Sequence, residues 1–165
     1  MKVKIKKIHK DAKLPVKSKE GDLCYDVWAV SEEEVAPNVW RYKLGFKYEI
    51  EREPVYINNS PFGFPIFTEP EFKDFDISID LRPRSGIWKT GMVLANSEGT
   101  LDEFYRGEAM AVFYHVLPDM PRYKAGERIG QIKIGMAPKV EFIEVDEINE
   151  DTERGDAGFG STGNK

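Results

Sequence analysis

The sequence predicts an all-β domain of the sandwich, jelly-roll or barrel type. Apolar and polar residues alternate with a period of two in several short runs, a pattern typical of strands with one buried face. Proline and glycine separate these runs at short intervals, and no long stretch carries the 3.6-residue period of an amphipathic helix. Many short strands joined by frequent turns are typical of an all-β architecture.

The clearest predicted strand runs from Phe75 to Arg82, where an apolar residue occupies every second position. Weaker alternation predicts further strands at residues 3–5, 110–116, 132–134 and 140–142. Residues 93–95 and 109–116 predict the two arms of a hairpin, with the turn at Gly99.

Length, charge and cysteine content limit the function classes. A chain of 165 residues is the size of one domain, which we assign to residues 1–150, with residues 151–165 as a flexible, glycine-rich C-terminal arm. The net charge of −5 argues against a general nucleic-acid binder. Cys24 is the single cysteine, so no internal disulfide forms, and no apolar run has signal-peptide or membrane-spanning length. A cytoplasmic protein without membrane association is expected.

Residues 51–75 break the alternating pattern. Four prolines lie among six aromatic residues in this segment, and prolines at this density do not fit a central strand. The segment therefore predicts an inserted long loop whose aromatic residues pack on the body of the domain. The alternative is a lid or a surface for a protein partner.

Three further segments have the residue types of an anion or nucleotide site. The tail from Arg154 to Gly163 mixes glycines with cationic, hydroxyl and aromatic side chains, although a disordered terminus is the better interpretation of such a tail alone. Arg84 and Ser85 follow the best strand, in what by itself is an ordinary turn. Asp102 has the chemistry of a general base, although most surface aspartates are merely solvated.

Together these segments resemble the trimeric dUTPases, whose five sequence motifs occur here in the same order. The motifs are matched by Tyr25-Asp26-Val27-Trp28-Ala29, Pro83-Arg84-Ser85-Gly86, Gly99-Thr100-Leu101-Asp102 with Tyr105-Arg106-Gly107-Glu108, Gly126-Glu127-Arg128-Ile129-Gly130-Gln131, and the tail from Arg154 to Gly163. The resemblance implies a jelly-roll-like subunit, a homotrimer, and active sites shared between subunits.

The resemblance also implies the reaction and the residues that perform it. Water attacks the α-phosphorus of dUTP, giving dUMP and pyrophosphate, which limits uracil incorporation into DNA and supplies dUMP for thymidylate synthesis. Asp102 is the implied general base. Uracil and deoxyribose binding is implied for Asn96, Gly99, Thr100, Leu101, Tyr105 and Phe159.

Phosphate binding is implied for a larger set: Arg84, Ser85, Gly86, Gln131, Arg154, Gly160, Ser161 and Thr162. Mg²⁺ is the implied cofactor, held mainly by the phosphates and reached by Asp26 through water, since Mg²⁺ keeps several of its waters. The arm closes over the site of another subunit.

The sequence departs from the family pattern at Leu23-Cys24, Trp88, Glu98 and Ala157, and none of these changes removes a catalytic group. Two alternatives stay open. The first is a dUTP-binding regulatory protein on the same scaffold, acting on a partner through residues 51–75. The second is dCTP deamination, which the intact Gly-Thr-Leu-Asp and Phe-Gly-Ser-Thr-Gly sequences disfavour.

Overall fold

The computed structural model describes residues 1–52 and 73–155, and between them the backbone of two short strands. The strands are β1 (Lys2–Lys7), β2 (Tyr25–Trp28), β3 (Ser31–Ala36), β4 (Val39–Lys43), β5 (Phe46–Glu51), β6 (Val55–Ile57), β7 (Ile66–Thr68), β8 (Phe75–Arg82), β9 (Met92–Leu94), β10 (Gly99–Asp102), β11 (Met110–His115) and β12 (Arg128–Pro138). A 3₁₀ helix spans Ser85–Lys89. Within the described residues there is no α-helix, and no helix could cross a membrane. The all-β prediction is confirmed.

Two four-stranded sheets form the body of the domain. The strand order is β10-β8-β12-β2 in one sheet and β3-β4-β11-β9 in the other. Strand β1 pairs antiparallel with β5 to form a separate two-stranded sheet, and β6 pairs with β7 to form another. All of these pairings are antiparallel.

One apolar cluster joins the two large sheets. Strand β8 contributes Ile77, Ile79 and Leu81, each at most 3% exposed, so the alternation read from the sequence gives the buried face correctly. From the other sheet come Tyr42 and Phe113, whose rings meet edge to face with centroids 5.7 Å apart. The same alternation correctly predicts β1, β11 and the centre of β12.

Two local predictions are wrong. Residues 140–142 form no strand: β12 ends at Pro138, which has no N–H to donate, and Val140 and Phe142 are 67% and 95% exposed. Gly99 is the first residue of β10 and not a turn residue. The chain turns before it, where the Ser97 N–H donates to the Leu94 carbonyl and Ser97 has a positive φ of 58°.

The reason for glycine at position 99 is packing. Gly99 is buried opposite Leu81, and a Cβ at this position would lie 3.3 Å from the Cβ of Leu81. The predicted pairing of the two hairpin arms is nevertheless confirmed, because β9 pairs with β11. The predicted loop at 51–75 is also partly wrong, since β6 and β7 pair within it; residues 53–54, 58–65 and 69–72 lie outside the described residues.

Candidate active site

Asp26 is a buried carboxylate among cations. It lies on β2 and is 7% exposed. Its Oδ2 accepts hydrogen bonds from the Ser18 hydroxyl at 2.6 Å and from Arg128 Nη1 at 2.8 Å, and its Oδ1 lies 3.4 Å from Arg84 Nε. Burial alone would raise the pKa of Asp26, but the hydrogen bonds from Ser18 and Arg128 and the charges of both arginines lower it below the ordinary value.

A β-bulge in β12 places Arg128 beside this carboxylate. In a regular strand, residues three apart point to opposite faces, so Arg128 and Gln131 would be separated by the sheet. Here the register between β12 and β2 shifts between Arg128 and Gly130, and Gln131 pairs with Asp26. The bulge therefore lets Arg128 reach Asp26 from the same strand that carries Gln131.

Three of the predicted phosphate residues share one cleft with Asp26. Arg84, Ser85 and Gln131 line a cleft of about 260 Å³, and its other walls include Ser18 and the departing pair Leu23-Cys24. The Gln131 amide nitrogen donates to the Pro83 carbonyl at 3.2 Å, which ties β12 to the loop that leads into the 3₁₀ helix. The cleft thus combines a guanidinium, a hydroxyl and an amide, all suited to phosphate oxygens.

The donors in this cleft fit a magnesium ion that is bound chiefly through a polyphosphate. Among the described residues no group of three His, Cys, Asp or Glu side chains comes together, so these residues form no all-protein cation cage. Asp26 supplies one carboxylate, whose Oδ2 already accepts from Ser18 and Arg128. A single engaged carboxylate is suited to contact through water, which is how Mg²⁺ commonly meets proteins in phosphate sites.

The predicted base lies at the end of β10. Asp102 is paired across the sheet with Ser78 and is exposed. It lines a cleft of about 340 Å³ together with Thr100 and Lys133. Leu101, between Thr100 and Asp102, points the other way and packs against the apolar core. Asn96 is exposed in the turn before the strand.

Tyr105 lies in a loop that is held by its own hydrogen bonds. Its N–H donates to the Asp102 carbonyl at 3.0 Å and its hydroxyl donates to the Glu108 carbonyl at 3.2 Å. Gly107 leaves room for this ring, because a Cβ there would lie 2.1 Å from the Tyr105 hydroxyl oxygen and would displace the ring. The ring is 38% exposed and offers a fixed flat surface next to Asp102.

Two separate clefts formed by the described residues are lined by predicted site residues. The cleft around Asp26 and the cleft around Asp102 have no lining residue in common. Gly86 lies in the 3₁₀ helix directly after Ser85, and Arg154 is exposed near the end of the described chain. The predicted binding residues Phe159, Gly160, Ser161 and Thr162 lie outside the described residues.

Several residues that line these clefts or lie next to their acidic residues were not singled out from the sequence. Ser18 and Arg128 both bond Asp26. Arg128 belongs to the fourth motif, so the motif itself was the available signal, whereas Ser18 lies outside every motif. Glu103 and its partner Arg52 were also missed. Their 51-residue separation leaves no local pattern to read.

Known proteins resemble this chain along its whole length. The dUTPase family model matches residues 73–163. The deoxyuridine 5′-triphosphate nucleotidohydrolase of Nautilia profundicola is 32% identical over 165 residues, covering 99% of both chains. The enzyme of that name from Helicobacter pylori strain P12 is 33% identical, covering 99% of this chain and 97% of the relative.

Solved structures share the fold. A mutant dUTPase of Staphylococcus bacteriophage 80alpha with dUpNHpp superposes with a TM-score of 0.69 at 20% identity, covering 98% of each chain. A mutant dUTPase of phage phi11 of S. aureus, described with a structural Mg(II) ion, gives 0.62 at 15% identity, covering 89% of this chain and 98% of that one. With the relatives and the family match, these findings show that the chain belongs to the dUTPase family.

Proposed function

We propose that the protein hydrolyses dUTP to dUMP and pyrophosphate. The observation that carries the proposal is the whole-length match to deoxyuridine 5′-triphosphate nucleotidohydrolases. The same family membership does not favour the regulatory alternative. The cytoplasm is the compartment we propose, in keeping with a single free cysteine.

In the proposed reaction Asp102 accepts a proton from water as the water oxygen bonds to the α-phosphorus. The bond from that phosphorus to the bridging oxygen of the leaving pyrophosphate breaks, and the phosphorus inverts. Asp102 suits this role because it is exposed at a strand end whose backbone is held by neighbouring groups. Positioned proton transfer contributes about 10²–10⁴-fold to a rate.

Arg84, Ser85, Gly86 and Gln131 are proposed to hold the triphosphate, with Asp26 reaching Mg²⁺ through water. The magnesium ion would neutralise phosphate charge and align the leaving group. Asn96, Gly99, Thr100, Leu101 and Tyr105 are proposed to bind the nucleoside. Arg154, Phe159, Gly160, Ser161 and Thr162 are proposed to complete the site from an arm, residues 151–165, that extends from a body of residues 1–150.

The first test is pyrophosphate release from dUTP, with dTTP, dCTP and UTP in parallel. We expect turnover of dUTP alone. Asp102→Asn should lower kcat by about 10²–10⁴-fold while an imido analogue of dUTP still binds. Hydrolysis of dUTP at an undiminished rate by this variant would remove Asp102 from the role of base. Ammonia release from dCTP would instead support deamination.

We further propose a homotrimer whose sites combine residues of different subunits. Five apolar residues that follow β12 are 58–95% exposed: Val140, Phe142, Ile143, Val145 and Ile148. The same chain has an apolar groove of about 520 Å³, lined in part by Val3 and Ile5 of β1. Covering both surfaces with a second copy would remove a large apolar area from water.

Charge supports the same contact. Residues 1–19 contain eight lysines and one acidic residue, whereas residues 139–155 contain seven acidic residues and two basic ones. The segment after β12 is thus opposite in charge to residues 1–19, which include strand β1 at the border of the groove.

Mixing two inactive variants tests shared sites. If Asp102 of one subunit works with Arg84 of another, Asp102→Asn and Arg84→Ala chains in an equal mixture restore one site in each mixed trimer. Random assembly then returns about a quarter of the wild-type activity. A mixture that stays inactive after unfolding and reassembly, with trimers verified by sedimentation, would contradict subunit sharing between these residues.

A further inference from the structure

Glu103, the residue after the proposed base, is a buried acid. It is 8% exposed, and its carboxylate meets the Arg52 guanidinium at two points. Arg52 Nε donates to Glu103 Oε1 at 2.7 Å, and Arg52 Nη2 donates to Oε2. The two side chains are only 18% and 10% exposed. Two parallel contacts fix the orientation of both planar groups, which a single contact would not.

The backbone next to this pair is held from several sides. The Tyr48 hydroxyl and the Tyr105 N–H both donate to the Asp102 carbonyl. Arg106 Nη1 donates to the Glu103 carbonyl at 2.8 Å. Burial, with the nearby Asp102 charge, raises the pKa of Tyr48 to about 12, so its hydroxyl remains a neutral donor throughout the physiological pH range.

These contacts hold the backbone immediately after Asp102. Within β10 the side chains alternate, with Leu101 on the apolar core and Asp102 on the opposite face, and Glu103 is the first residue of the turn that follows the strand. Asp102 accordingly faces the cleft that it shares with Thr100 and Lys133. A glutamate without a cationic partner would move out to water, because an unpaired buried charge costs several kcal/mol.

We propose that the Arg52–Glu103 pair is a positioning device for the proposed base. It holds Glu103 inside the protein and thereby keeps the Asp102 carboxylate directed into the cleft, with Tyr48 fixing the carbonyl between them. The inference rests on the proposed hydrolysis of dUTP. Arg52 and Glu103 are positioning residues: their side chains bind each other, and neither lines the cleft that contains Asp102.

The test compares Glu103→Gln, Arg52→Gln and the double variant with a matched control, Glu33→Gln. Glu33 also forms an ion pair with an arginine, Arg41, but on the surface, with the two side chains 56% and 36% exposed. The readouts are kcat, KM for dUTP, and the Kd of the imido analogue, together with the melting temperature to verify folding.

We expect each single variant to lower kcat by about 10- to 100-fold, the range for a misplaced catalytic group, with KM and Kd within about 2-fold of wild type. The double variant should be no slower than the slower single variant, because both changes break one unit. Glu33→Gln should match wild type.

A folded Glu103→Gln enzyme with wild-type kcat would overturn the proposal, and so would a loss of kcat that only follows a loss of analogue binding. If the single variants do not fold, Tyr48→Phe removes one hydroxyl from the Asp102 carbonyl and should lower kcat at unchanged Kd; unchanged kcat would again overturn it. Wild-type and Glu33→Gln proteins that both fail to hydrolyse dUTP would count against the proposed function instead.

Discussion

Replacing Asp26 by Asn should destabilise the protein in a way that disappears in acid. The carboxylate is buried and accepts from Ser18 and Arg128, with Arg84 a further 3.4 Å contact. Asn has nearly the same shape, so the substitution opens no cavity. It removes the negative charge and replaces Oδ1 by an amide nitrogen, which faces the Arg84 guanidinium as a donor.

The size of the effect follows from these contacts. A hydrogen bond to a charged group contributes about 1.5–3 kcal/mol. Both bonds go to Oδ2, so the single oxygen of Asn can still accept them; the loss is their charge assistance and the Arg84 contact, together about the contribution of one such bond. The side chains of Arg84 and Arg128 are 34% and 40% exposed and can regain water, which favours the lower part of that range. We expect a loss of about 2 kcal/mol, which for a chain of this length lowers Tm by about 4–8 °C.

The pH dependence has a defined sign. The pKa of Asp26 is lower in the folded protein than in the unfolded chain, where it is about 3.9. Its contribution to stability is therefore fully present above the unfolded pKa and is lost as the pH falls through the lower, folded pKa. The gap in stability between wild type and Asp26→Asn should be constant above about pH 5 and should shrink below about pH 4.

Urea unfolding at pH 7 measures the gap, and thermal unfolding from pH 3 to pH 7 measures its pH dependence. Protein concentration must be equal in all samples, because assembly shifts apparent stability. Ser31→Ala, a change in a strand of the other sheet away from this cluster, serves as a control for buffer effects. A gap that is absent at pH 7, or that persists unchanged at pH 3, would refute the ion-pair account of Asp26.

Three other changes have expected outcomes. Gly45→Ala should cost more than about 1 kcal/mol in urea unfolding, because Gly45 has a φ of 73° and a Cβ there would lie 2.9 Å from His9 and Val30 side-chain atoms; a neutral result would contradict this packing. Phe142→Ser should shift sedimentation from trimer toward monomer, and an intact trimer would show that this side chain is outside the subunit contact. Replacing residues 56–67 by Asn-Gly should leave kcat for dUTP within about 3-fold, since Val55 and Thr68 are already paired and Arg52 is retained; an inactive but folded trimer would assign the segment a role in the chemistry.

The fold could be predicted where burial follows the local sequence. In β8 the side chains of Ile77, Ile79 and Leu81 point into the core, and their period of two is visible without any structure. Gly99 could not be placed in the same way. Glycine favours a turn by its conformational freedom, but here it serves close packing against Leu81, which lies 18 residues earlier in the chain.

The site was predictable only as far as its motifs. Arg84, Ser85, Gln131 and Asp26 were grouped by their order in the family pattern, and the structure places them around one cleft. The residues that set the charge and orientation of these side chains could not be identified from the sequence. Arg128 reaches Asp26 only through a bulge, which is a property of the pairing between β12 and β2 and not of either strand alone.

The wrong strand prediction at residues 140–142 has a physical meaning of its own. Val140 and Phe142 carry the alternation of a strand with a buried face, yet both are exposed. A strand forms only beside a partner strand, and β12 has already ended at Pro138. An alternating segment that finds no partner strand among the described residues is the pattern expected when the partner belongs to another copy. In the proposed homotrimer, a neighbouring subunit would pair with this segment and would bring together the clefts around Asp26 and Asp102, which share no lining residue within one chain.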